Sequence, residues 1–327
     1  MVSRRSFVAG LALAGLSAGT SFRPLAARAA APLVLWGPPA APSIVLAQAV
    51  ASGALKHIAP EASFRTWKNP DELRAGISSG TFGATVVPTY VAANLYNRGL
   101  GVRLVNVLTN GLLFVVAPSG TVTDIASLRG RKVAVPFRND MPDLIFRRLL
   151  VSAKLATSDL DIDYSGSPSE AMQMLLTGRV DAAFLTEPLA TAAILRASVA
   201  GKKLERAVSA QEVWKTITGT SVIPQAGLAV TEKLSADLGA DGLAALQTAL
   251  EQALAQVQKD PAAAAAAVSQ TLELPAPVIA QAIPFSNLVV NRASAEKPAL
   301  TTLFEALAQE DPRIIGGKLP DDGFFAL

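Results

Sequence analysis

Apolar residues along this chain alternate between short uninterrupted runs and longer stretches spaced at three or four residues. Leu33-Val34-Leu35-Trp36 is a run of the first kind, and its length predicts a buried strand. The loop Gly37-Pro38-Pro39-Ala40-Ala41 follows, and Pro42 opens an apolar-periodic helix over Ser43–Val50. Proline suits a first helical position because its missing N–H would have no partner there. Further along, the series returns: Val133-Ala134-Val135 is the strand, Phe137-Arg138-Asn139-Asp140-Met141 the loop, and Pro142 opens Asp143–Leu150.

A second block is also duplicated. Asn69-Pro70-Asp71-Glu72 and Ser167-Pro168-Ser169-Glu170 share an N-cap oxygen, a proline at N1 and a glutamate at N3. Each predicts a helix that ends at a glycine, Gly80 or Gly178. Each helix feeds an apolar strand, Phe82–Val87 or Val180–Leu185, and then a proline loop, Pro88-Thr89 or Thr186-Glu187-Pro188. Four features in the same order, twice, predict two similar βαβα lobes.

Short strands alternating with helices imply an α/β fold, each lobe a mostly parallel sheet flanked by helices. The linking strands fall at Leu112–Ala117 and Val222–Val230 and form a two-strand hinge. The expected organisation is a discontinuous lobe 1, residues 32–117 plus 219–327, and a lobe 2 of residues 118–218. The portion after 219 is mostly helical, over Ala245–Gln258, Ala262–Ala267, a short helix between Pro275 and Pro284, and Ser294–Gln309. The tail Pro312–Leu327 is irregular.

Residues 1–31 stand apart. Ser3-Arg4-Arg5-Ser6-Phe7-Val8 has the form of a twin-arginine export signal. A weakly apolar stretch follows over Val8–Gly19, and Ala27-Arg28-Ala29 has the small residues of a cleavage site. The expected mature chain begins near Ala30, in the periplasm.

This leader changes how the charge is read. The whole chain carries 29 Lys and Arg against 26 Asp and Glu. Four of those arginines lie in residues 1–31 beside no acid, which leaves 25 basic against 26 acidic residues, a net charge near −1. A nucleic-acid partner loses its electrostatic basis. There is no cysteine and one histidine, His57, so disulfides, thiolate nucleophiles and Cys-based metal sites are excluded. No cofactor and no metal are expected. No G-x-S-x-G, HExxH or Walker A motif is present, so the chain is read as a non-enzyme.

Several segments resemble the type II periplasmic solute-binding proteins of ABC importers, in the nitrate/taurine/alkanesulfonate and thiamine-pyrimidine branch. Glu72–Gly80 with Phe82-Gly83-Ala84 is similar to the lobe-1 signature, with Gly83 in place of the usual acid. Asp124–Val135 is similar to the entry into lobe 2. Gly178-Arg179-Val180-Asp181-Ala182-Ala183 and Glu187-Pro188 resemble the block after it. The resemblance implies a monomer whose lobes close around one small polar or anionic solute, a sulfonate, taurine, nitrate or thiamine pyrimidine. It also implies delivery to an inner-membrane permease with its ATPase. The alternatives are a periplasmic sensor lobe and an enzyme related to thiamine-pyrimidine synthesis. The second lacks the His and Cys residues it would need.

In open α/β sheets ligands bind beyond the C-terminal ends of strands, against helix N-termini. The repeated loops occupy those places. Candidate ligand residues in lobe 1 are Gly37, Pro38, Ala41, Trp67, Asn69, Thr89, Tyr90 and Asn110. Those in lobe 2 are Phe137, Arg138, Asn139, Asp140, Thr186 and Glu187. Arg138 stands before a helix N-terminus, where it either meets an anion or is a solvated loop arginine balanced by Asp140 or Asp143. Glu187 either accepts from a ligand amine or caps its own helix. Trp67 either stacks on a ligand ring or covers the core edge, and Tyr90 either turns its hydroxyl into the cleft or lies on the helix surface.

Overall fold

The first repeat folds as β1 (Val34–Gly37), α1 (Pro42–Ala51), β2 (Ser63–Thr66), α2 (Pro70–Ser78), β3 (Ala84–Pro88), α3 (Thr89–Asn97) and β4 (Val102–Thr109). β5 (Leu113–Pro118) precedes the second repeat. That repeat runs through β6 (Lys132–Pro136), α4 (Met141–Ser152), β7 (Asp161–Ser165), α5 (Pro168–Leu176), β8 (Ala182–Thr186), α6 (Leu189–Val199) and β9 (Leu204–Ser209). Then come α7 (Ala210–Thr218), β10 (Ala226–Thr231), α8 (Glu232–Lys259), α9 (Pro261–Leu272), α10 (Ala276–Ala282), β11 (Leu288–Arg292) and α11 (Lys297–Ala308). The computed structural model describes residues 32–327, and the expected export leader and cleavage site lie outside the described residues. Among the described residues no helix is long and apolar enough to cross a membrane.

The two sheets have one design. The first has strand order β11-β4-β10-β3-β1-β2 and the second β7-β6-β8-β5-β9. Both are mixed. In each, the strands of the repeat pair in parallel, β1 with β2 and β3, and β6 with β7 and β8. One further strand then inserts antiparallel, β10 beside β3 and β4, and β5 beside β8 and β9. The inserted strand can enter antiparallel because it arrives directly from the other lobe, without the helical crossover that a parallel neighbour requires.

β5 belongs to the second sheet, so the chain first crosses at Asn110–Leu112, ahead of the expected boundary at 117. It returns between α7 and β10. The two crossings are tied together: the Ile223 N–H donates to the Asn110 carbonyl at 3.0 Å, and the Leu112 N–H donates to Gln225 Oε1 at 2.9 Å. Gly111, at φ +117°, has no room for a side chain, since a Cβ there would sit 2.6 Å from Gln211. The backbone conformation and the close approach of α7 both require glycine at this point.

The duplicated caps form as their chemistry dictates. Asn69 Oδ1 accepts from the Glu72 N–H at 2.9 Å, and Ser167 Oγ accepts from the Glu170 N–H at 3.1 Å. Each glutamate reaches back one residue before the cap, to the N–H of Lys68 or Gly166. α4 begins one residue earlier than the proline implies, with Asp140 as its N-cap and Pro142 at the second position. Leu35, Ile44, Leu46 and Val86 form a lobe-1 core with Leu246 and Leu250 of α8 and Val268 of α9. Met172, Met174 and Leu175 pack with Leu185 and Ala190 in lobe 2. The tail consists of short turns that nonetheless bury Phe324 completely, against Tyr96, Phe304 and Phe325.

Candidate functional site

The C-terminal ends of β1, β2 and β3 face those of β6, β7 and β8 across a cavity of about 160 Å³. The first set contributes Pro38, Pro39, Ala40, Trp67, Lys68, Pro70, Val86, Val87 and Pro88. The second contributes Phe137, Asp140, Met141, Pro142, Pro168, Ser169, Thr186 and Leu189. Leu112, Gln225 and Ala226 line it from the crossings. A site of this origin is the one the duplicated strand–loop–helix design produces.

The walls are mostly apolar. Four of the helices reaching the cavity carry proline in their first turn, α1, α2, α4 and α5. Each such proline removes an N–H that would otherwise serve an anion. Two donors around the start of α4 are also used. The Met141 N–H donates to Asp140 Oδ1 at 2.8 Å, and the Asn139 N–H donates to Asp143 Oδ2 at 2.7 Å. Trp67 is fixed by its indole N–H, which donates to Thr85 Oγ1 at 3.2 Å. The cavity thus has one aromatic side chain from each lobe, Trp67 and Phe137.

Apart from Lys68, charge near the cavity is paired within the protein. Arg74 Nη2, on α2, lies 2.7 Å from Asp140 Oδ2, which joins the two lobes at the cavity wall. Arg74 also donates to the Tyr90 hydroxyl at 3.4 Å. Burial, and then the Asp140 carboxylate, push the Tyr90 phenol well above its usual value, so it stays neutral. Lys68 is the one cation among the described residues lining the cavity, and it is exposed.

Glu187 is fully buried. Its carboxylate meets Arg206 at 2.6 Å and accepts from the Thr191 N–H and hydroxyl, which caps α6. Burial pushes its carboxyl above the usual range, while Arg206 and Thr191 pull it back. Its backbone carbonyl accepts from the Ala41 N–H at 3.3 Å, and Arg206 stacks 3.6 Å over the Phe285 ring. Both contacts reach from lobe 2 to lobe 1 and join the lobes in addition to the Arg74–Asp140 pair.

Of the candidate residues, Pro38, Trp67, Phe137, Asp140 and Thr186 line this cavity. The others stand behind or outside it. Gly37 is buried against Ser43, Phe64 and Val86. Ala41 makes the contact to Glu187, and Asn69 caps α2. The Thr89 hydroxyl donates to the Pro224 carbonyl at 2.7 Å, and Tyr90 is buried against Arg74. Asn110 lines a separate hollow at the crossings, with Phe114, Ser209 and Asn287. Arg138 and Asn139 are exposed. The Arg138 guanidinium lies 5.1 Å from the Tyr164 ring centre. Asp140 and Asp143, the acids weighed as its balance, are instead held by Arg74 and by Arg147.

Sequence reading missed Gln225, Leu112, Met141 and Leu189. For Met141 and Leu189 the signal available was their place beside the duplicated proline loops, and for Leu112 and Gln225 their place in the linking strands. It also missed Arg74, 66 residues from Asp140, for which no local pattern exists. Among the described residues no group of His, Asp or Glu has the arrangement of a metal site.

Two α/β lobes of matching topology, joined by paired crossings and enclosing a cavity between their strand ends, define a two-lobed solute-binding protein. A family model described as ABC transporter, phosphonate, periplasmic substrate-binding protein matches residues 57–278, and the chain belongs to that family. The fold is shared with an ABC transporter protein from Parabacteroides distasonis (TM-score 0.74, 20% identity, covering 90% of this chain and 98% of that one). It is shared too with the periplasmic aliphatic sulphonate binding protein SsuA from Escherichia coli (0.72, 18%, 90% and 91%). The periplasmic nitrate-binding protein NrtA from Synechocystis PCC 6803 is similar at a TM-score of 0.62 and 13% identity, covering 76% of this chain and 69% of that one. No curated protein sequence matches the chain. It is therefore a periplasmic substrate-binding component of an ABC importer, which receives a small molecule and works with a membrane permease and ATPase.

Proposed function

We propose that the solute is a small, uncharged organic molecule with a flat apolar body, of the substituted-pyrimidine kind, rather than a sulfonate, nitrate or phosphonate. The observation that carries this reading is the wall of the cavity. It has aromatic side chains on both lobes and many prolines, and its internal charges are already paired. An anion brought there would lose its hydration and gain no free guanidinium, only the exposed Lys68 ammonium, a costly exchange. A neutral ring gains apolar burial instead, about 25 cal/mol per Å² removed from water. Gln225 is available to orient it: its Oε1 is held by Leu112, which leaves its amide N–H groups as donors. The hydroxyls of Ser169 and Thr186 complete a small neutral polar set.

Binding stabilises the state in which both lobes touch the ligand, and so shifts the lobes toward closure. Lobe 1 moves as a discontinuous body. The chain reaches the periplasm as a folded monomer by the twin-arginine route, and replacing Arg4 and Arg5 by lysines stops its export.

The test of the ligand class is a thermal-shift and calorimetric series on the purified protein. Its probes are a substituted aminopyrimidine, taurine, methanesulfonate, nitrate and methylphosphonate. A ligand at about a hundred times its Kd stabilises by about 2.7 kcal/mol. The pyrimidine is expected to raise Tm and the anions to leave it unchanged. Tighter binding of any of the anions than of the pyrimidine overturns the reading.

A further inference from the structure

Asp140 is placed where a bound anion would otherwise be. It lines the cavity, it is 5% exposed, and its Oδ2 takes the Arg74 guanidinium at 2.7 Å while its Oδ1 takes the Met141 N–H. Those are a cation and a helix N-terminal donor, the two groups best suited to hold an oxyanion at this end of α4. The protein's own carboxylate occupies both. Arg74 is half-exposed and comes from the opposite lobe, so the pairing forms only when the lobes are together.

We infer that Asp140 sets the charge selectivity of the cleft: it is an internal counter-ion that consumes Arg74 and excludes anionic solutes. This rests on the neutral-ligand reading above and adds the residue responsible for it. Removing the carboxylate leaves the guanidinium with only the exposed Asp71 carboxylate at 3.9 Å and vacates space at the cavity wall for the oxygens of a sulfonate. A charge-assisted hydrogen bond regained in a desolvated site is worth about a tenfold change in affinity or more.

The experiment is a calorimetric titration of methanesulfonate into the parent protein, Asp140→Ala, and the double variant Asp140→Ala/Arg74→Ala. Asp140→Ala is expected to bind methanesulfonate about tenfold or more tighter than the parent, and the double variant to fall back to the parent's value. Asp140→Asn keeps the cap oxygen and most of the volume, and it serves where the alanine variant does not fold. A gain of about threefold is expected there, since the amide still accepts from Arg74 but carries no charge. Folded variants that bind methanesulfonate no better than the parent overturn the role of Asp140 and leave the neutral-ligand reading standing. So does a gain that persists without Arg74. A parent protein that already binds methanesulfonate more tightly than the pyrimidine overturns the ligand class itself.

Discussion

The β1–α1 and β6–α4 loops occupy the same place in two lobes, yet they bring different chemistry to the cleft. In lobe 1, Pro38, Pro39 and Ala40 lead to Ala41, which offers α1 no side-chain cap. In lobe 2, Phe137 and Asn139 take φ of 57° and 62° so that Asp140 can cap α4 and still reach Arg74. The first loop is an apolar wall. The second encloses a charge and satisfies it. A duplicated scaffold therefore fixes where the site is, and the residue at the helix cap decides what the site accepts.

Removing the partner of a buried charge in lobe 2 breaks this comparison most severely. Arg206→Ala leaves the Glu187 carboxylate buried and unpaired, a loss of about 3 kcal/mol of stability or more. The effect is pH-dependent. The folded-state value of Glu187 lies above its ordinary 4.5. Its contribution is thus fully present below that ordinary value and is lost as pH rises through the folded one. Taking away Arg206 raises the folded value further, so the stability deficit measured by denaturant unfolding is largest near neutral pH and shrinks toward pH 4. A deficit independent of pH would place the effect in packing against Phe285.

Next comes the apolar wall of lobe 1. Trp67→Ala is expected to weaken the ring ligand by about 2 kcal/mol, roughly thirtyfold, in a calorimetric titration, because it removes one of the two aromatic walls. Unchanged affinity would mean that Trp67 only covers the core edge. The smallest effect belongs to Arg138→Ala, whose side chain is exposed and stacked on Tyr164. It is expected to alter ligand Kd less than twofold, in keeping with surface substitutions generally. A larger loss would bring this arginine into the cleft.

Much of the architecture was legible because its signals are local. The proline at N1, the Asn69 and Ser167 caps, and the glycines Gly80 and Gly178 each act within a few residues, and their repetition announced two lobes with facing loops. The antiparallel insertion of β5 and β10 was not legible, since nothing within an apolar run specifies which sheet will accept it. The site divided in the same way. Trp67, Phe137 and Thr186 follow from loop position alone. The fate of Arg138 depended on Tyr164, and that of Asp140 on Arg74 in the other lobe; both are tertiary facts.

Closure of the two lobes around a solute is the claim on which the rest depends. The chain has no cysteine, so cysteines introduced at Ala75 on α2 and Gln173 on α5, both exposed, would be the sole sites for a pair of spin labels. The interlabel distance distribution, recorded with and without the pyrimidine that raises Tm, reads the opening of the cleft directly. The account predicts a broad distribution with a longer component in the free protein, collapsing to one short distance when ligand saturates. An identical distribution in both samples, with binding confirmed on the labelled protein, would contradict it.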